Sequence, residues 1–153
     1  MKNNQPEFYF ATAEEAESAF YSAFEMGDAQ LMDAVLADQS VSCIHPNSLP
    51  IVGREAVLDS WVQILSHINE PAVYPEVLNR SVIDDVAVHL VAERIAADHQ
   101  IGSETSLVLA TNVYIRQKNG WRMMMHHASV SSHAEETEEQ EAVITHEAPQ
   151  TLQ

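Results

Sequence analysis

The first part of the chain spaces its apolar residues as amphipathic helices do. Between residues 13 and 26 they recur on one helical face, at Ala16, Ala19, Phe20, Ala23 and Phe24. Thr12 and Glu15 form a capping box before this helix, and Gly27 ends it. Asp28 is expected to cap a second helix, whose apolar positions are Leu31, Met32, Val35 and Leu36. The two segments therefore predict a pair of helices joined at Gly27-Asp28.

The hydrophobic period changes along the rest of the chain. A short apolar run, Val41–His45, predicts a strand, and a third helix is predicted from about Arg54 to Asn69, where Pro71 stops it. Four long runs rich in Val, Ile, Leu, Thr and Tyr then follow, at Val73–Ile83, Val86–Ala97, Thr105–Arg116 and Trp121–Ser131. Helices first and antiparallel strands afterwards predict an α+β fold.

The turn between the last two strands decides which side chains share a face. With a two- or four-residue loop ending at Gly120, Asn112 and Tyr114 share a face with Trp121, Met123, Met125 and His127. A three-residue loop or a bulge would instead bring His126 to the face of Asn112. We place the Trp121 face against the helices, so Asn112, Tyr114 and His127 are predicted to converge in an apolar pocket.

Length and composition divide the chain into three parts. A length of 153 residues fits one domain, which we place at residues 12–133 after an N-terminal arm of residues 1–11. Residues 134–153 are rich in Glu and Gln and carry no Lys or Arg. Such a segment buries too little apolar surface to offset its ordering entropy, so we predict an acidic, disordered tail.

The charge excludes some partners. The net charge is −16, and so acidic a surface repels the phosphates of nucleic acids and of anionic membranes.

The N-terminal residues lack the apolar core of a signal peptide, and the single Cys43 excludes an internal disulfide. A cytoplasmic location is expected.

Several motifs, taken in order, carry a family resemblance over residues 12–131. They are the helix pair with Gly27-Asp28, the His45-Pro46 strand end, Gly53-Arg54-Glu55-Ala56-Val57, Gly120-Trp121-Arg122 and His126-His127-Ala128-Ser129. The chain resembles the nuclear transport factor 2-like superfamily, and more closely its SnoaL-like and ketosteroid-isomerase-like branch. The resemblance implies a cystatin-like cone, in which a strongly bent antiparallel sheet wraps around three helices from the N-terminal half. It also implies a homodimer through the outer sheet face.

The resemblance also suggests candidate catalytic residues. Ketosteroid isomerase uses an Asp base with a Tyr and a protonated Asp as oxyanion donors. The corresponding positions of this chain hold His45, Phe20 and Asn112. His45 would be the general base, since an imidazole titrates near neutral pH, Asn112 would donate to an oxyanion, and His127 would orient or protonate. The hydroxyl donor is missing unless Tyr114 replaces it.

Three functions fit this reading, and the sequence does not decide whether the protein is an enzyme. We favour binding of a small apolar or mixed-polarity molecule, in a pocket lined by Phe20, Trp61, Tyr114, Trp121, Met123 and Met125. The alternative is an isomerase, lyase or hydrolase that works without a cofactor through His45 and Asn112. A third class, a protein-interaction module, would use the sheet exterior or the acidic tail.

No metal site is predicted. Cys43, His45 and one of the two late histidines would supply at most three ligands, and no dense ligand motif accompanies them.

Overall fold

The computed structural model describes residues 7–67, 71–96 and 105–132. The chain forms three helices, α1 (Ala13–Met26), α2 (Ala29–Val35) and α3 (Arg54–His67), and six strands. Two short strands lie between α2 and α3, and four long strands follow α3. The strands are β1 (Ser42–Ile44), β2 (Ile51–Val52), β3 (Ala72–Ile83), β4 (Val86–Ala96), β5 (Thr105–Gln117) and β6 (Gly120–Val130). The predicted α+β class and the order of its elements are confirmed. The predicted end of the third helix at Asn69 and the acidic tail at 134–153 lie outside the described residues.

Local chemistry explains the helix pair. The Thr12 hydroxyl accepts a hydrogen bond from the backbone N–H of Glu15, and the Glu15 carboxylate accepts one from the backbone N–H of Ala11. Gly27 adopts φ +66°, a left-handed conformation that lets the helix end in a turn at low energetic cost. Asp28 then caps α2 through the backbone N–H of Leu31. The predicted joint at Gly27-Asp28 is therefore confirmed.

The strands form one curved, open sheet in the order β2-β1-β6-β5-β4-β3. The long strands β3 to β6 pair antiparallel, as predicted. Strand β1 pairs parallel with β6, and β2 is a short strand that the sequence did not indicate. The parallel pairing of Ile44 with His127 places His45, just beyond β1, beside the C-terminal part of β6.

A bulge changes the register of the last hairpin. Gln117 pairs with Gly120 and Tyr114 with Met123, but Asn112 pairs with His126. The register shifts between Val113 and Tyr114, so one extra residue of β6 stands opposite β5 there. Near the turn the predicted faces are correct, and beyond the bulge they are exchanged.

The core lies between the helices and one face of the sheet. Phe20 of α1, Trp61 of α3 and Met123 of β6 are fully buried in it. The N-terminal segment also joins this core, because Phe10 is buried and forms a backbone bridge with Gly120. The arm predicted at residues 1–11 is therefore docked at its end, and residues 1–6 lie outside the described residues. In the described part of the chain, no helix has the length and apolar character needed to span a membrane.

Candidate functional site

A chain of buried polar side chains crosses the interior between α1 and the sheet. The Tyr21 hydroxyl lies 2.7 Å from Glu93 Oε2, and Asn112 Nδ2 lies 2.9 Å from the Tyr21 oxygen. Asn112 Oδ1 lies 2.6 Å from His126 Nδ1. Glu93, Tyr21, Asn112 and His126 are all buried. We call these four residues the polar chain.

Burial sets the protonation of both ends of the polar chain. It raises the pKa of Glu93 from 4.5 to about 7, and the hydrogen bond from Tyr21 offsets part of that rise. It lowers the pKa of His126 to about 3, and the nearby His45 and His127 add to that effect. His126 is therefore neutral at physiological pH, whereas Glu93 titrates close to it.

His45 lies near this chain, and its ring and that of His126 both adjoin the Trp61 indole. Its ring centroid is 4.8 Å from that of Trp61, and the Trp61 ring is 5.6 Å from that of His126. The Ser60 hydroxyl donates to the Val57 carbonyl at 2.6 Å, so it must accept from His45 Nε2 at 2.9 Å. His45 therefore carries its proton on Nε2.

The His45 ring also faces a cysteine. Cys43 Sγ lies against the edge of this ring, 3.8 Å from Nδ1 and 3.6 Å from Nε2. Burial raises the pKa of Cys43 to about 12, with the Glu93 charge as a second cause, and burial lowers the pKa of His45. The pair is a neutral thiol beside a neutral imidazole. Among the described residues, no group of three or more His, Cys, Asp or Glu side chains is arranged to hold a metal ion.

A second buried cluster adjoins the polar chain. Glu17 accepts from His89 Nδ1 at 2.6 Å and from the Arg80 guanidinium at 2.8 Å. The Tyr114 ring packs against that of His89 in a tilted arrangement, with ring centroids 5.0 Å apart. Burial raises the pKa of Tyr114, and the charges of Glu17 and Glu93 add to that rise. In this cluster the buried Glu17 carboxylate is paired with Arg80, whose side chain is partly exposed to solvent.

Three buried polar atoms of the interior lack a hydrogen-bond partner in the described part of the chain. They are Trp61 Nε1, His89 Nε2 and Tyr114 Oη. Most buried polar atoms in native proteins have a partner, so such atoms call for one from outside the chain. All three residues are at most 1% exposed. These atoms mark positions where a polar group of a ligand or a water would be stabilised.

The predicted site residues divide into those that meet in this interior and those that do not. His45, Asn112, Phe20, Trp61, Tyr114, Trp121 and Met123 are buried there. The prediction that His127 and Met125 share the inward face with Asn112 is wrong. Both lie on the opposite face of the sheet, and His127 is exposed. The bulge in β6 is the reason, and it makes His126 the inward histidine.

Sequence reasoning missed Glu17, Tyr21 and His89, and it did not assign Glu93 to the site. Glu17 and Tyr21 stand four apart on α1, which puts them on one side of the helix beside Phe20. His89 and Glu93 stand four apart on β4, which puts them on one face of the strand. The four-residue spacing was a usable signal, because it puts two polar side chains on one face of each element. There they pair, Glu17 with His89 and Tyr21 with Glu93.

The fold and this enclosed polar interior define a class of proteins, the nuclear transport factor 2-like α+β folds. The model of the SnoaL-like domain family matches residues 13–132. The chain belongs to the SnoaL-like domain family. No curated protein matches the sequence.

Solved structures agree with this assignment. A proposed calcium/calmodulin-dependent protein kinase type II association domain from Thiobacillus denitrificans is 35% identical, with a TM-score of 0.77 over 82% of this chain and 100% of that one. A proposed dehydratase of the nuclear transport factor 2-like family from Streptomyces avermitilis is 30% identical, with a TM-score of 0.68 over 76% of this chain and 92% of that one. A cystatin-like domain from Nostoc punctiforme shares the fold at 17% identity and a TM-score of 0.63, covering 85% of this chain and 79% of that one.

Proposed function

We propose that this chain binds a small molecule of mixed polarity in the interior between α1, α3 and the sheet. The observation that carries the proposal is the Trp61 indole N–H, which is buried without a partner on a ring that lies close to both neutral histidines. An unsatisfied buried donor is unfavourable by about 1–3 kcal/mol, and a ligand acceptor would recover that energy. Apolar rings with a few converging polar groups are the usual form of a ligand site.

The test is to identify what the protein carries. The protein is purified under native conditions and denatured in methanol, and the extract is analysed by mass spectrometry. His126→Phe should reduce the amount of the recovered molecule, because it removes a polar group of the site. His127→Phe is the matched control, since it makes the same change one residue away on the exposed face. Equal recovery from the two variants, or none from the wild type, would contradict the proposal.

A second candidate is an isomerase, lyase or hydrolase that works without a cofactor, with His45 as general base and Asn112 as oxyanion donor. The lowered pKa of His45 favours it, because the imidazole keeps a lone pair at neutral pH. The Streptomyces avermitilis relative is a proposed dehydratase, which also supports an enzyme. However, Asn112 already bonds Tyr21 and His126, so binding without turnover ranks first.

Proton exchange would separate the two candidates. The molecule recovered from the protein is incubated in D₂O with wild-type protein or with His45→Ala, and its deuterium content is measured. Deuterium incorporated by the wild type and lost in a folded His45→Ala protein would establish catalysis. Absence of incorporation in both, with no hydrolysis products of the molecule, would leave binding as the function.

A homodimer through the outer sheet face is part of the proposal. That face exposes Tyr74, Val88, Leu90 and Leu109, which are 39–54% exposed on three adjacent strands. A contiguous exposed apolar surface is typical of an interface. In sedimentation velocity, Leu90→Lys should shift a dimer to monomer, whereas Val62→Lys on α3 should not. A monomeric wild type would refute this part.

A further inference from the structure

The polar chain has a defined direction. When Glu93 is ionised it only accepts, so the Tyr21 hydroxyl must donate to it. That hydroxyl has one hydrogen, so its oxygen must accept from the Asn112 amide nitrogen. Asn112 is then oriented with Oδ1 toward His126, and the ring nitrogen that meets it must carry a proton. An ionised Glu93 therefore requires the tautomer of His126 that carries its proton on Nδ1 and a lone pair on Nε2.

The same contacts can run in the opposite direction when Glu93 gains a proton. The Glu93 hydroxyl then donates to Tyr21, Tyr21 donates to Asn112 Oδ1 in a flipped amide, and Asn112 Nδ2 donates to the ring Nδ1. The ring proton moves to Nε2 by exchange with water, so His126 stays neutral. Only one proton is gained, and it resides on Glu93.

We propose that Glu93, acting through Tyr21 and Asn112, sets the tautomer of His126 and thereby whether the site accepts or donates a hydrogen bond. Glu93 is a positioning residue in this role, because it does not meet the ligand. With Glu93 ionised, Nε2 of His126 accepts from an O–H or N–H group. This ligand half of the inference rests on the proposed function, and the tautomer half does not.

The surroundings of Glu93 make it the group that titrates. The other titratable side chains near it are Tyr21 on α1, Tyr114 on β5 and Cys43 on β1. Burial raises the pKa of each of the three, so all remain protonated through neutral pH. The pKa of Glu93 is raised to about 7, so its proton is exchanged within the physiological range.

The two polar atoms at the site select a hydroxyl. His126 Nε2 would accept from the ligand, and the unpartnered Trp61 Nε1 would donate to it, with the two rings 5.6 Å apart. A hydroxyl is a single group that can do both. Phe20, whose ring is 5.0 Å from that of His126, would contact the apolar body beside it. The expected ligand is an uncharged molecule that carries a hydroxyl on an apolar frame.

The tautomer is measured by long-range ¹H–¹⁵N NMR on histidine-labelled protein, with His126 assigned by its loss in His126→Gln. At pH 8.5 we expect a protonated Nδ1, and on acidification to pH 5 a change to Nε2–H with a midpoint near 7. Glu93→Gln and Tyr21→Phe should abolish that pH-dependent change. Tyr114→Phe, which removes a nearby hydroxyl outside the chain, should retain it. Nε2–H at pH 8.5, or the same transition in Tyr21→Phe, would overturn the inference.

The ligand half is tested with two probes in ¹⁹F NMR at pH 8.5. 4-Fluorophenol has a donor hydroxyl, and 4-fluoroanisole keeps the oxygen without the hydrogen. We expect the phenol to bind at least tenfold more tightly, and the preference to be lost in Tyr21→Phe. Equal binding of both probes would overturn donor recognition and leave the binding function intact. Binding of neither, together with no molecule recovered from the native protein, would overturn the proposed function while the tautomer result stands by itself.

Discussion

Replacing Glu93 with glutamine should stabilise the protein, and by an amount that depends on pH. Folding raises the pKa of this carboxyl from 4.5 to about 7, so the folded state binds its proton more tightly than the unfolded state. The contribution of Glu93 to stability therefore falls as pH rises from 4.5 to 7, and the loss is complete above 7. Each pKa unit corresponds to about 1.4 kcal/mol, so the full loss is roughly 3 kcal/mol.

Glutamine cannot ionise, yet it keeps an oxygen that can accept from Tyr21. The difference in unfolding free energy between Glu93→Gln and the wild type should therefore rise by about 2–3 kcal/mol between pH 5 and pH 8.5. His126 has the opposite pH dependence, because its pKa is lowered to about 3 and its stabilising effect is lost as pH falls below 6.5. That contribution is common to both proteins and cancels in the difference.

The assay is urea unfolding followed by tryptophan fluorescence at several pH values in that range. Glu76→Gln is the control for net charge, since Glu76 is an exposed glutamate on the neighbouring strand. A difference that stays constant within about 0.5 kcal/mol across the range, or that rises toward acid pH, would refute the argument that Glu93 is a buried carboxylate whose ionisation opposes folding.

Three further pairs of variants test the packing by the same unfolding assay. Tyr21→Phe removes the hydroxyl that joins two buried groups and should destabilise by about 1–3 kcal/mol, whereas Tyr114→Phe removes an unpartnered hydroxyl and should have little effect or stabilise. An equal loss in both would contradict the bonding described. Gly120→Ala should destabilise more than Gly53→Ala: both have positive φ, but only at Gly120 would the new methyl lie 2.6 Å from a backbone oxygen. Equal losses would show that contact to be unimportant. Arg54→Met should destabilise by about 1–3 kcal/mol, since its half-buried guanidinium binds two backbone carbonyls near the end of α2. Arg116→Met should change stability by less than about 1 kcal/mol, because its pair with Asp85 is exposed.

The residues alone predicted much of the architecture. The Thr12 cap, the end of α1 at Gly27 and the Asp28 cap act within a few residues, so their consequences can be read from the sequence and are confirmed. The reciprocal half of the predicted capping box is wrong, because the Glu15 carboxylate accepts from the backbone N–H of Ala11 and not from that of Thr12. The change of hydrophobic period after the third helix likewise places the four long strands correctly. Local hydrogen bonding and side-chain periodicity depend on near neighbours in the chain, which is why these elements were accessible.

Which face of β4 points inward could not be predicted from the sequence in the same way. On β4 the residues Val88 and Leu90 are more apolar than His89 and Glu93, yet the first pair is about 40% exposed and the second pair is buried. Hydrophobicity alone favours the opposite orientation. The observed one holds because Glu17 and Tyr21 of α1, more than 70 residues away, supply partners for the two polar side chains.

The bulge in β6 had the same kind of effect on the site. One extra residue exchanged His127 for His126 at the interior, and no local signal distinguished that register from the regular one. The sequence by itself determined the three helices, β1, the four long strands and the inward position of Asn112. Only the tertiary structure decided which histidine meets Asn112 and that Glu93 and Tyr21 complete the chain, because those contacts join elements that are distant in the sequence.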